Sequence, residues 1–551
     1  MGKAKKVKRE KSKTDVWYTV LAIVIGVCLV FGLGVAILQP TGLMDYISLH
    51  ARTAIKTANY SVNNAQFTYL TYATYNNYYQ TYESYGYTSY LGLDRTKPLS
   101  QQQYTESMSW LDYCKSQAES TLKQVMALCE TAKADGFELT SDDKATIEES
   151  ITSLADYAKQ NNYSFSSAVG AMYGSKGITK SDIRHILEMQ TLASKYAEKL
   201  RDSYTYTDEQ YDNYFEENKY DYLKADYYSY TVKADYESDA TDEEKEAAIS
   251  AAKNKALELF NKIEGGEDFV AVVMEYKKEL ATAEKEAAEK ALADAKANAA
   301  ETEAEAEAET ETGTDTAEET QSAEEKAVED AVKALEAITE ESVKSDVLTE
   351  GHKTTKDDKS EADEWMFADS PAQNGAVKMI AADESATIYQ VVKSVYRDEY
   401  NTATIRELGL SLSNFTNEDA MKEYAQKIID DFNAGSDKSG EAFDKLAEKY
   451  TTDDISVGSS GQQKETTKRS SANYEEINEW VFSDERKPGD VKMFVLDENG
   501  IYITFYEETG RAAWLAGVDS SMRADDLEKK VNELQETYPA TVNDKAIEKV
   551  Q

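Results

Sequence analysis

The sequence predicts an α+β fold in several parts: a single N-terminal transmembrane helix, a helical domain, two similar α/β modules, and a C-terminal helix that packs back on the helical domain. Three observations lead to this prediction. The chain has 551 residues, several times the usual size of one domain. An uncharged apolar segment lies near its N-terminus. A set of short motifs also occurs twice in its second half, in the same order.

The N-terminal segment indicates where the protein resides. A basic tail at residues 1–15 precedes an apolar run at residues 16–38, which spans roughly 35 Å as a helix and is long enough to cross a bilayer. Basic residues favour the cytoplasmic side, so we expect a single-pass protein of the cell membrane with a cytoplasmic N-terminus and its bulk outside. A cleaved signal peptide is the alternative, because Gly34-Val35-Ala36 resembles a cleavage site.

The composition argues against several classes of partner and cofactor. The formal net charge of -42 would repel the phosphates of nucleic acids. Cys114 and Cys129 are expected on one helix, about 22 Å apart, which is too far for a disulfide. The three histidines are too scattered for a metal site, and neither a phosphate-binding loop nor a zinc motif occurs. We therefore expect no metal and no cofactor.

Residues 45–222 have the pattern of amphipathic helices with many tyrosines. Thr179 and Thr207 are each followed by acidic residues, a pattern that is typical of N-caps. Each is therefore expected to begin a helix. Four tyrosines recur at helical spacing, and such a stripe indicates either core packing or a binding surface. These tyrosines are Tyr72, Tyr75, Tyr79 and Tyr82.

An internal repeat divides the rest of the chain into a first module at residues 223–400, a second module at residues 401–512, and a C-terminal helix and strand at residues 513–551. Each module is expected to begin with a strand, continue with an amphipathic helix, and close with strands. In the first module, Thr241 and Glu244 form a capping box at the start of this helix. The motif pairs are Phe269 with Tyr276 and Phe443 with Tyr450, Trp365-x-Phe367 and Trp480-x-Phe482, Gly375-x-Val377 and Gly489-x-Val491, and Ile388-Tyr389 and Ile501-Tyr502.

A low-complexity tract interrupts the first module at about residues 281–344. It is rich in Ala, Glu and Thr, and its middle part, residues 301–321, has no aromatic residue and no apolar residue larger than alanine. Such a segment cannot bury a core. We therefore expect a solvated insertion whose ends form helices.

This order of motifs resembles the SurA/PrsA family of secretion foldases. The resemblance rests on a helix ended by a glycine turn, a Phe-x-x-Leu-Ala-x-x-Tyr segment at Phe443–Tyr450, the glycines Gly458 and Gly461, the Trp-x-Phe and Gly-x-Val motifs, and the closing strand that begins at Gly500. It implies that residues 45–222 form a SurA-N-like chaperone domain. It also implies that the two modules are parvulin-like peptidyl-prolyl isomerase modules.

The catalytic positions that the resemblance implies do not carry histidine. The family has one histidine in the first strand and one in the last. The corresponding positions here are Tyr227 and Tyr389 in the first module, and Gly409 and Tyr502 in the second, with an uncertainty of about one residue for the first strands. We therefore expect modules that bind chains without catalysing. His185 is expected on a helix outside both modules, and His352 in a solvated loop.

The resemblance thus implies a membrane-anchored extracytoplasmic chaperone or foldase whose partners are unfolded or newly secreted polypeptides. Two alternatives stay open: an active peptidyl-prolyl isomerase, and a non-enzymatic scaffold of the membrane or cell wall. The oligomeric state is not indicated. The side chains expected to contact clients are Trp365, Phe367, Trp480, Phe482, Tyr72, Tyr75, Tyr79 and Tyr82.

Overall fold

The computed structural model describes residues 43–88, 91–306, 314–496 and 500–550. The fold is α+β, with 57% helix and 17% strand. Within these ranges, no helix has the length and apolar character needed to span a bilayer. The transmembrane helix expected at residues 16–38 lies outside the described residues, as does the basic tail. The expected fold class is therefore corrected to an α+β fold in which no described helix spans a membrane.

The chain forms two compact units. Unit 1 combines Met1–Tyr211 with Gly517–Gln551, and unit 2 comprises Asp212–Ala516. Unit 2 contains both copies of the internal repeat. Residues 223–400 are called module 1 below, and residues 401–512 module 2.

Unit 1 is mostly helical. Thr140 and Thr179 close capping boxes with Asp143 and Asp182 at the starts of two of its helices. Its elements are α1 (Leu43–His50), β1 (Thr53–Lys56), β2 (Ser61–Asn63), α2 (Asn64–Ser84), β3 (Gln103–Thr105), β4 (Met108–Ser109), α3 (Trp110–Ala134), α4 (Ser141–Gln160), α5 (Phe165–Tyr173), α6 (Lys180–Ser203) and α7 (Asp208–Glu217), the last of which crosses the boundary into unit 2.

The C-terminal segment completes the core of unit 1. Helix α16 (Ala513–Thr537) contributes Leu527, Val531 and Leu534 to the same buried cluster as Phe67 and Met126. Strand β14 (Thr541–Val542) pairs antiparallel with β1, which is the middle strand of a three-stranded sheet completed by β2. The short helix α17 (Asp544–Ile547) follows. The first and last described parts of the chain therefore fold together.

Module 1 is an antiparallel sheet with helices on both faces. The capping box predicted at Thr241 and Glu244 is confirmed. The elements are β5 (Lys224–Lys233), α8 (Asp242–Glu264), α9 (Phe269–Ala306), α10 (Thr314–Glu336), α11 (Glu340–Val347), β6 (Leu348–His352), α12 (Glu361–Met366), β7 (Val377–Ala381) and β8 (Ser385–Tyr396).

Module 2 repeats this plan without the insertion. Asn417 caps its first helix through a side-chain oxygen that accepts from the backbone N–H of Ala420. The elements are β9 (Asn401–Ser411), α13 (Glu418–Ala434), α14 (Gly440–Tyr450), β10 (Gly458–Ser459), β11 (Gln463–Thr466), α15 (Glu475–Val481), β12 (Val491–Leu496) and β13 (Gly500–Ala512).

The two sheets have the same strand order. The order is β6-β5-β8-β7 in module 1 and β10-β9-β13-β12 in module 2, where β11 also pairs with β9. In each sheet the first strand of the module is central and pairs with the last strand. The repeated motifs of the sequence therefore correspond to a repeated fold.

Each sheet has two different faces. The helix face packs against the long helices: Ile388 contributes to a buried cluster with Leu259 and Phe269 in module 1. In module 2, Ile503 does the same with Phe443. The opposite face, called the site face below, is covered by α12 in module 1 and by α15 in module 2.

The insertion of module 1 is more helical than the sequence predicts. Helix α9 runs into the tract from its N-terminal side as far as Ala306. Helix α10 begins within the tract at Thr314. An ion pair joins them, with Lys296 Nζ 3.2 Å from Glu325 Oε1. Alanine and glutamate are strong helix formers, so a segment without a core of its own can still form helices.

Candidate functional site

The paired Trp-x-Phe segments occupy equivalent places. In module 1, Phe367 is the C-cap of α12, and in module 2, Phe482 is the C-cap of α15. Both helices cover the site face of their sheet. Phe367 is buried, whereas Trp365, Trp480 and Phe482 are half-buried. Three of the four side chains predicted to contact clients here thus reach the surface, and Phe367 is a core residue.

The strand register corrects the alignment of the expected catalytic positions. Gly409 lies directly opposite Tyr502, whereas the residue opposite Tyr389 is Ser229. Tyr227 stands opposite Val391, two residues away. Tyr227 therefore corresponds to a residue two positions before Gly409, so the first-strand alignment expected from the sequence was wrong by two residues.

The module 2 equivalent of Tyr227 is Glu407, which lies opposite Thr504. Gly409 is not the equivalent of Tyr227 but lies close to Tyr502. A Cβ at Gly409 would lie 3.4 Å from Cε1 of Tyr502. This is an ordinary van der Waals distance, so the phenol ring lies directly against the strand at Gly409. An aromatic ring over a strand glycine covers backbone that would otherwise be exposed.

His352 is not in a solvated loop, and this expectation was wrong. It is the last residue of β6, and its Nε2 lies 2.6 Å from Oδ1 of Asp363. Its ring meets the ring of Tyr227 edge to face at 5.3 Å and lies 6.0 Å from that of Phe367. The ring centroids of Tyr227 and Tyr389 are 5.7 Å apart. The fold thus places His352 between Tyr227 and the carboxylate of Asp363, with Tyr389 next to Tyr227.

The electrostatics of this cluster favour a charged carboxylate. Burial would raise the pKa of Asp363, but hydrogen bonds from His352 and Ser360 outweigh burial and lower that pKa below its ordinary value. Because the carboxylate is ionised, Nε2 of His352 is the donor. Burial raises the pKa of both Tyr227 and Tyr389, and the charge of Asp363 adds to this effect. Both phenols therefore stay protonated and can donate hydrogen bonds.

The same region of module 2 has different chemistry. Glu407 is buried, and its carboxylate accepts hydrogen bonds from Arg469 and, at 3.1 Å, from Nε2 of Gln463. The guanidinium of Arg469 also lies 4.7 Å from the ring centroid of Tyr474, which stacks on Tyr502. An ion pair between Glu407 and Arg469 thus lies beside two stacked rings.

Sequence reasoning missed His352, Asp363, Glu407 and Arg469. One local signal pointed to Asp363, because Ser360 and Asp363 form a capping box at the start of α12. The remaining three are brought to the site face only by pairing of distant strands and loops, and the sequence carries no local signal for that pairing.

The tyrosine stripe of α2 divides between core and surface. Tyr75 is only 6% exposed and packs against Trp110, while Tyr72, Tyr79 and Tyr82 are half-buried in the same cluster. The ring of Tyr72 also lies against Gly174, where a Cβ would come within 2.4 Å of its Cε2. Tyr75 is therefore a core residue, and Tyr79 and Tyr82 are the members of the stripe nearest to solvent at the end of α2.

An aromatic surface continues from the end of this stripe. Four of its side chains are strongly exposed: Tyr85 (63%), Tyr87 (42%), Tyr104 (41%) and Met108 (39%). With Tyr78, Tyr82 and Tyr113 they are called the aromatic surface below. Tyr104 stacks on Tyr113 with centroids 3.9 Å apart, and Tyr78 stacks on Tyr82 at 6.1 Å. Trp110 lies beneath them at 1% exposure.

The other histidines belong to unit 1. His185 lies on α6, as predicted, and its Nε2 is 3.0 Å from the carbonyl oxygen of Ser61. His50 bonds to Asp182, at 2.9 Å from Nε2 to Oδ2. Within the described ranges, no three histidine, cysteine, aspartate or glutamate side chains come together as metal ligands would. Comparison with known proteins found no matching family model and no matching curated protein.

Proposed function

We propose that this chain is a chaperone that binds unfolded polypeptides, with both modules acting as binding modules. The observation that carries the proposal is the aromatic surface of unit 1, where tyrosines and a methionine are exposed and the rings of Tyr85 and Tyr87, and of Tyr104 and Tyr113, are in contact. Contiguous exposed apolar patches on soluble domains usually serve binding, and tyrosine adapts to varied partners because it joins apolar area to a polar tip. Half-buried Trp365 and Trp480, at equivalent places in the modules, support this.

The test is suppression of aggregation of a chemically denatured polypeptide by the full-length chain. We expect the wild type to slow the rise in light scattering at stoichiometric amounts, and the double variant Y85S/Y104S to slow it less. The matched control is Tyr163→Ser, because Tyr163 belongs to the same unit, is 40% exposed and lies outside the aromatic surface. Scattering by the wild type that equals scattering without protein would contradict the proposal. The extracytoplasmic location rests on residues outside the described ranges and stays a prediction.

A second candidate function, prolyl isomerisation, is favoured by one specific observation in module 1. His352, Asp363, Tyr227 and Tyr389 form one cluster on the site face. The resemblance to parvulin-type modules associates such a network of histidine and acidic groups with rotation about the X–Pro bond, whose barrier is about 20 kcal/mol. In this chain the histidine comes from β6, whereas the resemblance led us to expect one in the first or last strand.

Proline-limited refolding of a reporter protein distinguishes the two functions. If module 1 is an isomerase, the full-length chain accelerates the slow phase and His352→Ala removes the acceleration. His185→Ala is the control, because it removes a histidine that lies in unit 1, outside module 1. That histidine bonds to the backbone carbonyl of Ser61. A slow phase equal to the uncatalysed rate leaves binding as the role of module 1.

A further inference from the structure

Acidic side chains occur in the same stretch of chain as the aromatic surface. Glu83, Glu106 and Asp112 are exposed. The chain as a whole has a formal net charge of -42. A partner that approaches this surface thus meets negative potential at long range, which favours cationic partners and repels anionic ones.

The basic residues of the same stretch are already engaged. The guanidinium carbon of Arg95 lies 3.9 Å from the ring centroid of Tyr79. Lys97 Nζ is 3.2 Å from Asp94 Oδ2, and Lys115 Nζ is 3.9 Å from Asp112 Oδ1. Arg95 also interacts electrostatically with Glu83, whereas the exposed carboxylate of Glu106 stays available to a positively charged partner.

The contact between Arg95 and Tyr79 shows how a cationic side chain of a partner can bind a tyrosine ring. A guanidinium over a phenol ring gains about 0.5–1 kcal/mol at an exposed site through the ring quadrupole. Tyr85, Tyr87 and Tyr104 are more exposed than Tyr79, which is half-buried. They leave comparable ring area open to solvent in a single region of unit 1.

We propose that the aromatic surface selects extended polypeptide segments that carry lysine and arginine side chains. Cations stack on the exposed tyrosine rings, and Glu106 adds charge attraction. This inference rests on the proposed chaperone function, because it names the class of segment that the surface takes from an unfolded chain. It also predicts that acidic or uncharged segments of equal hydrophobicity bind less well.

The first experiment uses the full-length wild-type chain and three labelled peptides of identical length in fluorescence anisotropy. One peptide alternates arginine and lysine with leucine and serine, the second has citrulline and glutamine in the cationic positions, and the third has glutamate there. We expect the cationic peptide to bind about tenfold or more tightly than the citrulline–glutamine peptide, and to weaken as salt rises. Equal affinities for the cationic and uncharged peptides would overturn the inference.

A second experiment separates cation–π contacts from general hydrophobic contact. The variant Y85L/Y104L keeps apolar area but removes both ring faces, whereas Y85F/Y104F keeps the rings and removes only the hydroxyls. We expect the leucine variant to lose most of the preference for the cationic peptide and the phenylalanine variant to retain it. Tyr163→Leu is the control, and circular dichroism melts show whether each variant is folded. A leucine variant that is folded and keeps the full preference counts against the inference.

Peptide binding tests this inference and suppression of aggregation tests the proposed function, so the two can fail independently. Selective binding of the cationic peptide without suppression of aggregation supports the surface and contradicts the chaperone function. Suppression of aggregation together with equal binding of all three peptides supports the chaperone function and contradicts the selectivity.

Discussion

His352 and Asp363 are joined by a hydrogen bond of 2.6 Å between Nε2 and Oδ1, which links the end of β6 to the first turn of α12. The same carboxylate accepts from the backbone N–H and the hydroxyl of Ser360 through its other oxygen. This side-chain pair therefore both caps a helix and holds the ring of His352 against that of Tyr227.

Asp363→Asn tests this link. Hydrogen bonds to charged groups contribute about 1.5–3 kcal/mol, so we expect the variant to lower the free energy of unfolding of unit 2 by about that amount at neutral pH. Urea unfolding followed by circular dichroism measures the change. The control is Asp357→Asn, which alters an exposed carboxylate of the same loop and is expected to change stability by less than about 0.5 kcal/mol. Equal midpoints for the two variants would contradict the link.

The pH dependence of the same pair has a defined sign. The pKa of Asp363 is lowered on folding, so its contribution to stability is complete above the unfolded value of about 3.9 and is lost as the pH falls through the lower folded value. We therefore expect the stability difference between the wild type and D363N to shrink as the pH falls below about 4. Urea midpoints measured across this range check the trend, and a difference that grows on acidification would contradict it.

Arg406 is the centre of a buried charge network in module 2. Its side chain is 7% exposed, its Nε lies 3.0 Å from Glu507 Oε2, and it also bonds to Asp444. Arg406→Ala removes the cation that pairs with both carboxylates, and we expect a loss of about 3–5 kcal/mol in the free energy of unfolding. The control Lys422→Ala removes an exposed ion pair with Glu418 and is expected to cost about 0.5 kcal/mol or less. Similar losses for the two variants would show that the network contributes little.

Phe269 and Phe443 are the matching core residues of the two modules, at 1% and 0% exposure. Replacing either by alanine leaves a cavity beneath the helix face, and we expect each variant to lose about 3–5 kcal/mol. Chemical denaturation of the two variants side by side checks this. Leu280→Ala is the control, because Leu280 is 44% exposed and its truncation creates no cavity. A neutral effect at only one of the two phenylalanines would show that the modules do not share this core position.

The reactivity of the Cys114 and Cys129 thiols measures whether the core of unit 1 becomes accessible to solvent. Both thiols are buried, and burial raises the pKa of each to about 12. In a Cys28→Ser background we expect neither thiol to react with Ellman's reagent in the native chain at pH 8, and both to react rapidly in denaturant, because the thiolate is the reactive form. Rapid labelling of the native chain would show that α3 is not held in the core.

The sequence by itself determined the features that depend on neighbours in the chain. Capping boxes at Thr179 and Thr241 marked helix starts correctly, because the cap bonds join residues three apart. Short motifs that recur in the same order revealed the repeat, and the two sheets share one strand order.

Only the tertiary structure decided which residues meet. The two-residue error at Gly409 arose because the register of β9 against β13 is set by hydrogen bonds between distant segments. His352 looked solvated because its local sequence is polar, yet the pairing of β6 with β5 carries it to Tyr227 and Asp363. Tyr75 and Tyr85 are alike in sequence, and the packing of Trp110 and its neighbours buries the first and leaves the second in solvent. Exposure and cross-strand contact are properties of the assembled layers, so no local pattern encodes them.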